Sequence, residues 1–223
     1  MSFLDVLKRS AYDALDTSGH TIDLQGWMEP TFTEQFDSLL SLQNFRESLT
    51  ILEVGSWKGL SATTMAARCK MKGFTNVNIV AIDTWLGAPE FWTWGLDDPT
   101  RGKSLNIVDG YPTVFYTFTK NVKSLGHHDV IAPFPISSTQ GASVLKAHGI
   151  RADMVYIDGS HEYDQVLSDL HAYWPLLKDN GVLFGDDYSG GWPGVMKAVD
   201  EFAKEQHVKR TVNGVLWAIH KVL

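Results

Sequence analysis

Apolar positions change their spacing along the chain. Phe3, Leu4, Leu7, Ala11, Ala14 and Leu15 recur at intervals of three and four, the period of an amphipathic helix. Thr31-Phe32-Thr33-Glu34 has the form of a capping box, and Phe36, Leu39, Leu40 and Leu42 follow it, which predicts a second helix from about Thr31. Beyond it the pattern becomes short apolar runs separated by helical stretches: Thr50 to Val54, Val77 to Ile82, Asp129 to Phe134, Met154 to Ile157, Val182 to Phe184, Val208 to Val212 and Val215 to His220. Such alternation predicts the α/β class, with a doubly wound, Rossmann-like, mainly parallel sheet of seven strands and helices on both faces. Asn213-Gly214 between the last two runs is a hairpin signal, so the final strand is expected to run antiparallel.

The stretch from Thr84 to Lys120 is longer than a crossover helix needs. It carries Trp85, Phe91, Trp92, Trp94, Tyr111, Phe115, Tyr116 and Phe118, and reads either as a lid over a site or as a satellite core bracing the sheet. Residues 1–223 are thus taken as one domain, with 1–48 as an N-terminal helical cap and 84–120 as an aromatic insertion.

Composition narrows the function classes. With 44% hydrophobic and 20% charged residues the chain is expected to fold, and its net charge of −7 disfavours a nucleic-acid partner. Charges from Asp5 to Asp16 interrupt any signal-like apolar run, and no uncharged stretch has membrane-spanning length. Cys69 is the lone cysteine and reads as a packed thiol, which fits a reducing, cytoplasmic setting. The oligomeric state is open, a homo-oligomer included.

Candidate chemistry begins at Glu53-Val54-Gly55-Ser56-Trp57-Lys58-Gly59-Leu60-Ser61, a strand running through a glycine turn into a helix. Gly55 permits a sharp turn and a close ligand approach, and Gly59 frees the first helical N–H groups. Asp83-Thr84-Trp85 follows the next strand one βαβ unit later, where the Asp83 carboxylate would accept ribose hydroxyls. Trp57 and Lys58 occupy the turn where a dinucleotide motif prefers glycines, and Glu53 would repel a pyrophosphate. An acid beside a cationic sulfonium with an ammonium group makes better electrostatic sense, so the ligand is read as S-adenosylmethionine. A nicotinamide-dependent oxidoreductase is the competing reading.

These residues resemble the class I methyltransferases from about Gln25 to the C-terminus. The resemblance implies that the glycine turn (Gly55, Ser56, Trp57, Gly59, Ser61) holds the methionine moiety. It also implies that Ser137, Ser138 and Thr139 form the adenine side, although they equally suit a helix N-cap.

A second group of acids ends two later strands, at Asp158-Gly159-Ser160-His161 and at Asp186-Asp187. Adjacent strands would deliver these carboxylates to one rim, where like charges ~4 Å apart repel by about 4 kcal/mol at an effective dielectric near 20. Hard oxygen ligands call for Mg²⁺ or Mn²⁺ on Asp158, Asp186 and Asp187. His161 reads as a general base for an acceptor hydroxyl or as a helix-start hydrogen-bonding residue, with Asp158 as the alternative base.

This half resembles the cation-dependent O-methyltransferases, and Asp-Gly-x-His with Gly-Asp-Asp-Tyr is most similar to the macrocin and other sugar O-methyltransferases and the cephalosporin-hydroxylase-like proteins. His161 stands where catechol-type enzymes carry Lys. The resemblance implies methyl transfer to a hydroxyl of a sugar, glycan or glycosylated small molecule, with a phenolic acceptor as the alternative. Trp85, Trp92 and Trp94 are then expected to offer flat surfaces to the sugar ring.

Overall fold

The computed structural model describes residues 1–41, 48–93 and 95–222, so the predicted roles of Leu42 and Trp94 fall outside the described residues. The predicted strands all form, as β1 (Leu49–Val54), β2 (Val77–Asp83), β5 (Ile131–Pro135), β6 (Ala152–Ile157), β7 (Leu177–Gly185), β8 (Arg210–Asn213) and β9 (Leu216–His220). They make one seven-stranded sheet in the order β5-β2-β1-β6-β7-β9-β8. Pairing is parallel from β5 to β7, and β9 is antiparallel to both β7 and β8.

Two-residue periodicity sorts the strand side chains onto the two faces. Ile51, Ile79, Ala81, Met154, Tyr156, Val182 and Phe184 face one way, under α2 (Phe32–Ser41), α3 (Leu60–Met71) and α5 (Val114–Ser124). Leu52, Val54, Val80, Ile82, Val155, Ile157 and Leu183 face the other, under α1 (Phe3–Tyr12), α6 (Ser138–Ala147), α7 (Tyr163–Tyr173) and α8 (Pro193–Glu205). α2 covers one face, while α1 runs along the edge strand β5 and reaches both layers, with Leu4 in one and Tyr12 in the other. α1 opens with a capping box between Ser2 and Asp5, and α2 begins just after Thr31. No helix among the described residues is long and apolar enough to cross a membrane.

The hairpin differs by one residue from its prediction. Asn213 pairs with Leu216, so Gly214-Val215 forms the two-residue loop, with glycine taking its first position at φ +64. The aromatic insertion divides in two. Its first part holds the short helix α4 (Pro89–Thr93), a 3₁₀ turn at Gly102–Leu105 and a small hairpin of β3 (Ile107–Val108) and β4 (Tyr111–Pro112). Its last part is α5, the crossover helix itself, which sends Phe118 into the core.

Register decides what meets at the C-terminal rim. Val54 pairs with Ile82 and with Ile157, and Ile157 pairs with Gly185. Gly55, Asp83, Asp158 and Asp186 are each the next residue, so all four emerge in one row. Gly55 allows the row to close, because a Cβ there would lie 2.1 Å from the Asp158 carbonyl oxygen, and its φ is +88. Alanine at Gly55 combines a left-handed penalty with a backbone clash, and is expected to cost more than ~3 kcal/mol of unfolding free energy. Urea unfolding of Gly55→Ala checks this, and a loss under ~1 kcal/mol would show that β1 and β6 can spread apart.

Candidate active site

Beyond β1 the chain turns through Gly55, Trp57 at φ +44 and Gly59 at φ +90 into α3. The Asp83 carboxylate fixes this turn. Its Oδ2 accepts the Ser56 and Trp57 amides at 2.9 and 2.8 Å, and its Oδ1 accepts the Trp85 amide at 2.7 Å. A carboxylate has about four lone-pair sites, so acceptor capacity remains on the side that faces the cavity.

Glu53 does not face the ligand space directly, as its charge had led us to expect. It is fully buried, and its oxygens accept the Ser56 and Ser61 hydroxyls at 2.6 Å each. Those serines line the cavity in its place. Burial pushes the Glu53 carboxyl up to about 7, the two serine bonds pull it down, and the Asp83 charge adds to the rise.

The cavity has a volume of about 910 Å³ and runs from the glycine turn to the loop after β6. Gly55, Ser56, Trp57, Ser61, Asp83, Thr84, Ser137, Ser138, Asp158, His161 and Asp187 line it, as do residues of the insertion. Ser137 occupies the N-cap of α6 without a capping bond from its side chain, and the Tyr173 hydroxyl donates to the Ser138 carbonyl at 2.8 Å. Gly59 and Trp85 support the wall from behind. Trp85 is 1% exposed, and its indole N–H donates to the Trp57 carbonyl at 2.7 Å.

Trp85 therefore offers no flat surface to a sugar, and the expectation is corrected: its ring is spent on the core. Trp92 is 43% exposed, but its indole donates to the Leu86 carbonyl and it lies outside the cavity lining. The aromatic mouth is built instead by Trp27, Trp57 and Phe91, with Trp57 and Phe91 edge to face at 4.7 Å. The Arg101 guanidinium lies 5.1 Å from the Trp27 ring.

At the other end, His161 stands between two carboxylates. Its Nε2 lies 2.9 Å from Asp187 Oδ2 and its Nδ1 3.6 Å from Glu90 Oε1, and the ring stacks on Trp192 at 3.9 Å. Burial opposes the imidazolium, but the Asp187 bond and charge, with Glu90, outweigh it and raise the pKa above the ordinary value. Nδ1 and Glu90 Oε2 are both buried without a hydrogen-bond partner. Burial, then Asp186 and Asp187, push Asp158 well above the usual carboxylate range, and burial with the Asp187 charge puts Asp186 at about 6.

The predicted metal set is brought to one rim but does not converge. Asp158 accepts the Tyr156 hydroxyl at 3.0 Å, Asp186 accepts the Asp187 amide at 2.7 Å, and Asp187 turns to His161. Among the described residues no group of three His, Cys, Asp or Glu side chains is arranged to hold a metal ion. Between Asp158, His161, Asp186 and Asp187 there is nonetheless a small cavity of about 10 Å³, close to the room one water or ion needs. Donor chemistry and space suit a hard divalent cation, whereas ligation would require the three side chains to turn inward.

Sequence reasoning missed Trp27, Glu90, Arg101 and Asp169, which all line the cavity. Asp169 alone carried a signal, as a charge on the apolar stripe of α7 between Val166 and Leu170.

Comparison with known proteins agrees with this geometry. An uncharacterized protein of Acanthamoeba polyphaga mimivirus is 26% identical over 179 residues, covering 78% of this chain and 69% of its own length. The crystal structure of the calicheamicin methyltransferase CalS11 superposes with a TM-score of 0.60 at 15% identity, covering 97% of this chain and 91% of that one. The O-methyltransferase NovP gives 0.61 at 13% identity over 99% and 98%. An O-methyltransferase from Bacillus cereus in complex with SAH gives 0.58 at 12% identity over 97% and 91%. Residues 52–188, which carry the glycine turn, Asp83, Asp158, His161 and both acids after β7, match the family model described as methyltransferase domain, and the chain belongs to that family.

Proposed function

We propose that this protein transfers a methyl group from S-adenosylmethionine to a hydroxyl oxygen of a small-molecule acceptor, most simply a sugar or a glycosylated compound, with a divalent cation as cofactor. The observation that carries the reading is a single cavity with Asp83 and the glycine turn at one end and His161 between Asp187 and Glu90 at the other. CalS11, one of the structural neighbours above, is a TDP-rhamnose 3'-O-methyltransferase, which supports a sugar acceptor.

S-adenosylmethionine supplies an electrophilic methyl group on a cationic sulfonium. Asp83 takes the ribose hydroxyls on its remaining lone pairs, and Glu53, acting through Ser56 and Ser61, contributes negative charge beside the methionine ammonium. Asp158, Asp186 and Asp187 are the residues that would hold Mg²⁺ or Mn²⁺, whose charge would make an acceptor hydroxyl more acidic. Asp187 orients His161 by taking its Nε2–H, which leaves the unpaired Nδ1 to receive the acceptor's proton. Glu90 then stands beside the imidazolium so formed. Trp27, Trp57 and Phe91 give the acceptor a flat apolar wall.

Three outcomes are expected. First, a cationic ligand favours ionised Glu53, whose carboxyl holds its proton up to about 7 in the free protein. Binding therefore releases a proton, and affinity for S-adenosylmethionine rises between pH 6 and 7.5. Calorimetry in buffers of different ionisation heat should record that release, and Glu53→Gln should reduce it. Absence of any S-adenosylmethionine binding would end the cofactor assignment.

Second, excess chelator is expected to lower methyl transfer by about a hundredfold or more, with recovery on adding Mg²⁺. Asp186→Asn should do the same while affinity for S-adenosylhomocysteine stays within about threefold. Undiminished turnover in chelator removes the cation. Third, His161→Gln is expected to lose about 10²- to 10⁴-fold in turnover in a radiolabelled methyl-transfer assay against sugars and phenols. A loss confined to KM would assign His161 to binding alone.

A further inference from the structure

One part of the cavity lies where α7 passes the start of α6. Gln165, Ser168 and Asp169 line it there together with Ser137, Ser138 and Thr139. Asp169 is 3% exposed on a stripe whose neighbours Val166, Leu170 and Tyr173 are buried in the core. Two other buried acids are better supplied with donors: Asp153 holds Lys178 and the Thr50 amide, and Glu53 holds two serines. For Asp169 the Ser138 hydroxyl is a hydrogen-bond partner, a neutral group that offsets only part of the desolvation, and burial pushes the acid up to about 6.

A buried acceptor on the wall of a ligand cavity asks for a donor from the ligand. We propose that Asp169 is a specificity-determining residue that reads the exocyclic amine of the nucleoside base, so that the cavity takes a 6-aminopurine and rejects a 6-oxopurine. This rests on the cavity being the site of the adenosyl cofactor. An amino group donates N–H to the carboxylate, whereas a 6-oxo group presents only lone pairs to it. The contact is made beside Ser138, so it selects the cofactor through its base without entering the transfer step.

The test compares S-adenosylhomocysteine with its deaminated counterpart, S-inosylhomocysteine, by calorimetry at pH 7.5. The full-length wild type is expected to prefer the amino ligand by at least about tenfold, as sites built around a hydrogen bond do. In Asp169→Ala the amino ligand should lose about that factor while the oxo ligand stays within about twofold. In Asp169→Asn the preference should narrow, because the amide can turn its NH₂ toward the oxo group, and this variant decides the matter if the alanine protein fails to fold. Equal weakening of both ligands, or an unchanged preference, would overturn the proposal while leaving the cofactor site intact. A wild type that binds the amino ligand without preference overturns it as well, and one that binds neither removes the cofactor reading along with it.

Discussion

Parallel register places charges of one sign in one row, and the rest of the site is organised around that constraint. β2, β6 and β7 each end in a carboxylate at the same level, beside the turn that ends β1. Repulsion of about 4 kcal/mol for a pair ~4 Å apart at an effective dielectric near 20 has to be offset locally. Asp83 is offset by three backbone amides, Asp186 by one, and Asp187 by His161. Asp158 receives the Tyr156 hydroxyl and keeps a strongly raised pKa, so the residual tension is concentrated at the acceptor end of the cavity.

The turn after β1 is held from outside the sheet as well. Asn121 is fully buried on α5, and its amide donates to the carbonyls of Asp23 and Lys58 at 2.6 and 2.9 Å. Its side-chain oxygen accepts the Asp23 amide at 3.1 Å, while Lys58, itself buried, reaches the Asp23 carboxylate at 2.6 Å. The segment before α2 is thereby clamped onto the glycine turn, which brings Gln25 to the Trp57 indole and Trp27 to the cavity mouth. The N-terminal region thus contributes to the site through an irregular segment, while its helices pack on the sheet and its edge strand.

Much of this was legible in the sequence where a single periodicity governs. The strands and the row of Gly55, Asp83, Asp158 and Asp186 follow from two-residue alternation and βαβ spacing, because parallel pairing fixes which residues come next at the rim. Side-chain direction beyond the rim was not legible. Glu53 lies on a strand whose neighbours are buried, so its charge suggests a place on the cavity wall, which Ser56 and Ser61 occupy instead. Trp85 and Trp92 sit in a glycine- and proline-rich stretch without a period, and nothing local distinguishes a ring that enters the core from one that faces a cavity. Trp27, Glu90 and Arg101 reach the cavity through tertiary contacts, for which one sequence holds no spacing rule. Asn213-Gly214 identified the hairpin and missed its loop by one residue, since glycine at the first loop position satisfies a turn as well as glycine at the second.

The insertion enters the core with some of its residues and lines the cavity with others. Phe118 and the buried Trp85 ring pack together at 4.9 Å beneath the glycine turn, and the Trp85 amide and indole bond to Asp83 and to the Trp57 carbonyl. A few residues later Glu90 and Phe91 come back over the cavity, against His161 and Trp57. The same segment therefore sets the shape of the glycine turn and supplies a carboxylate beside His161. That division follows from where the buried aromatic rings stop and the cavity lining begins.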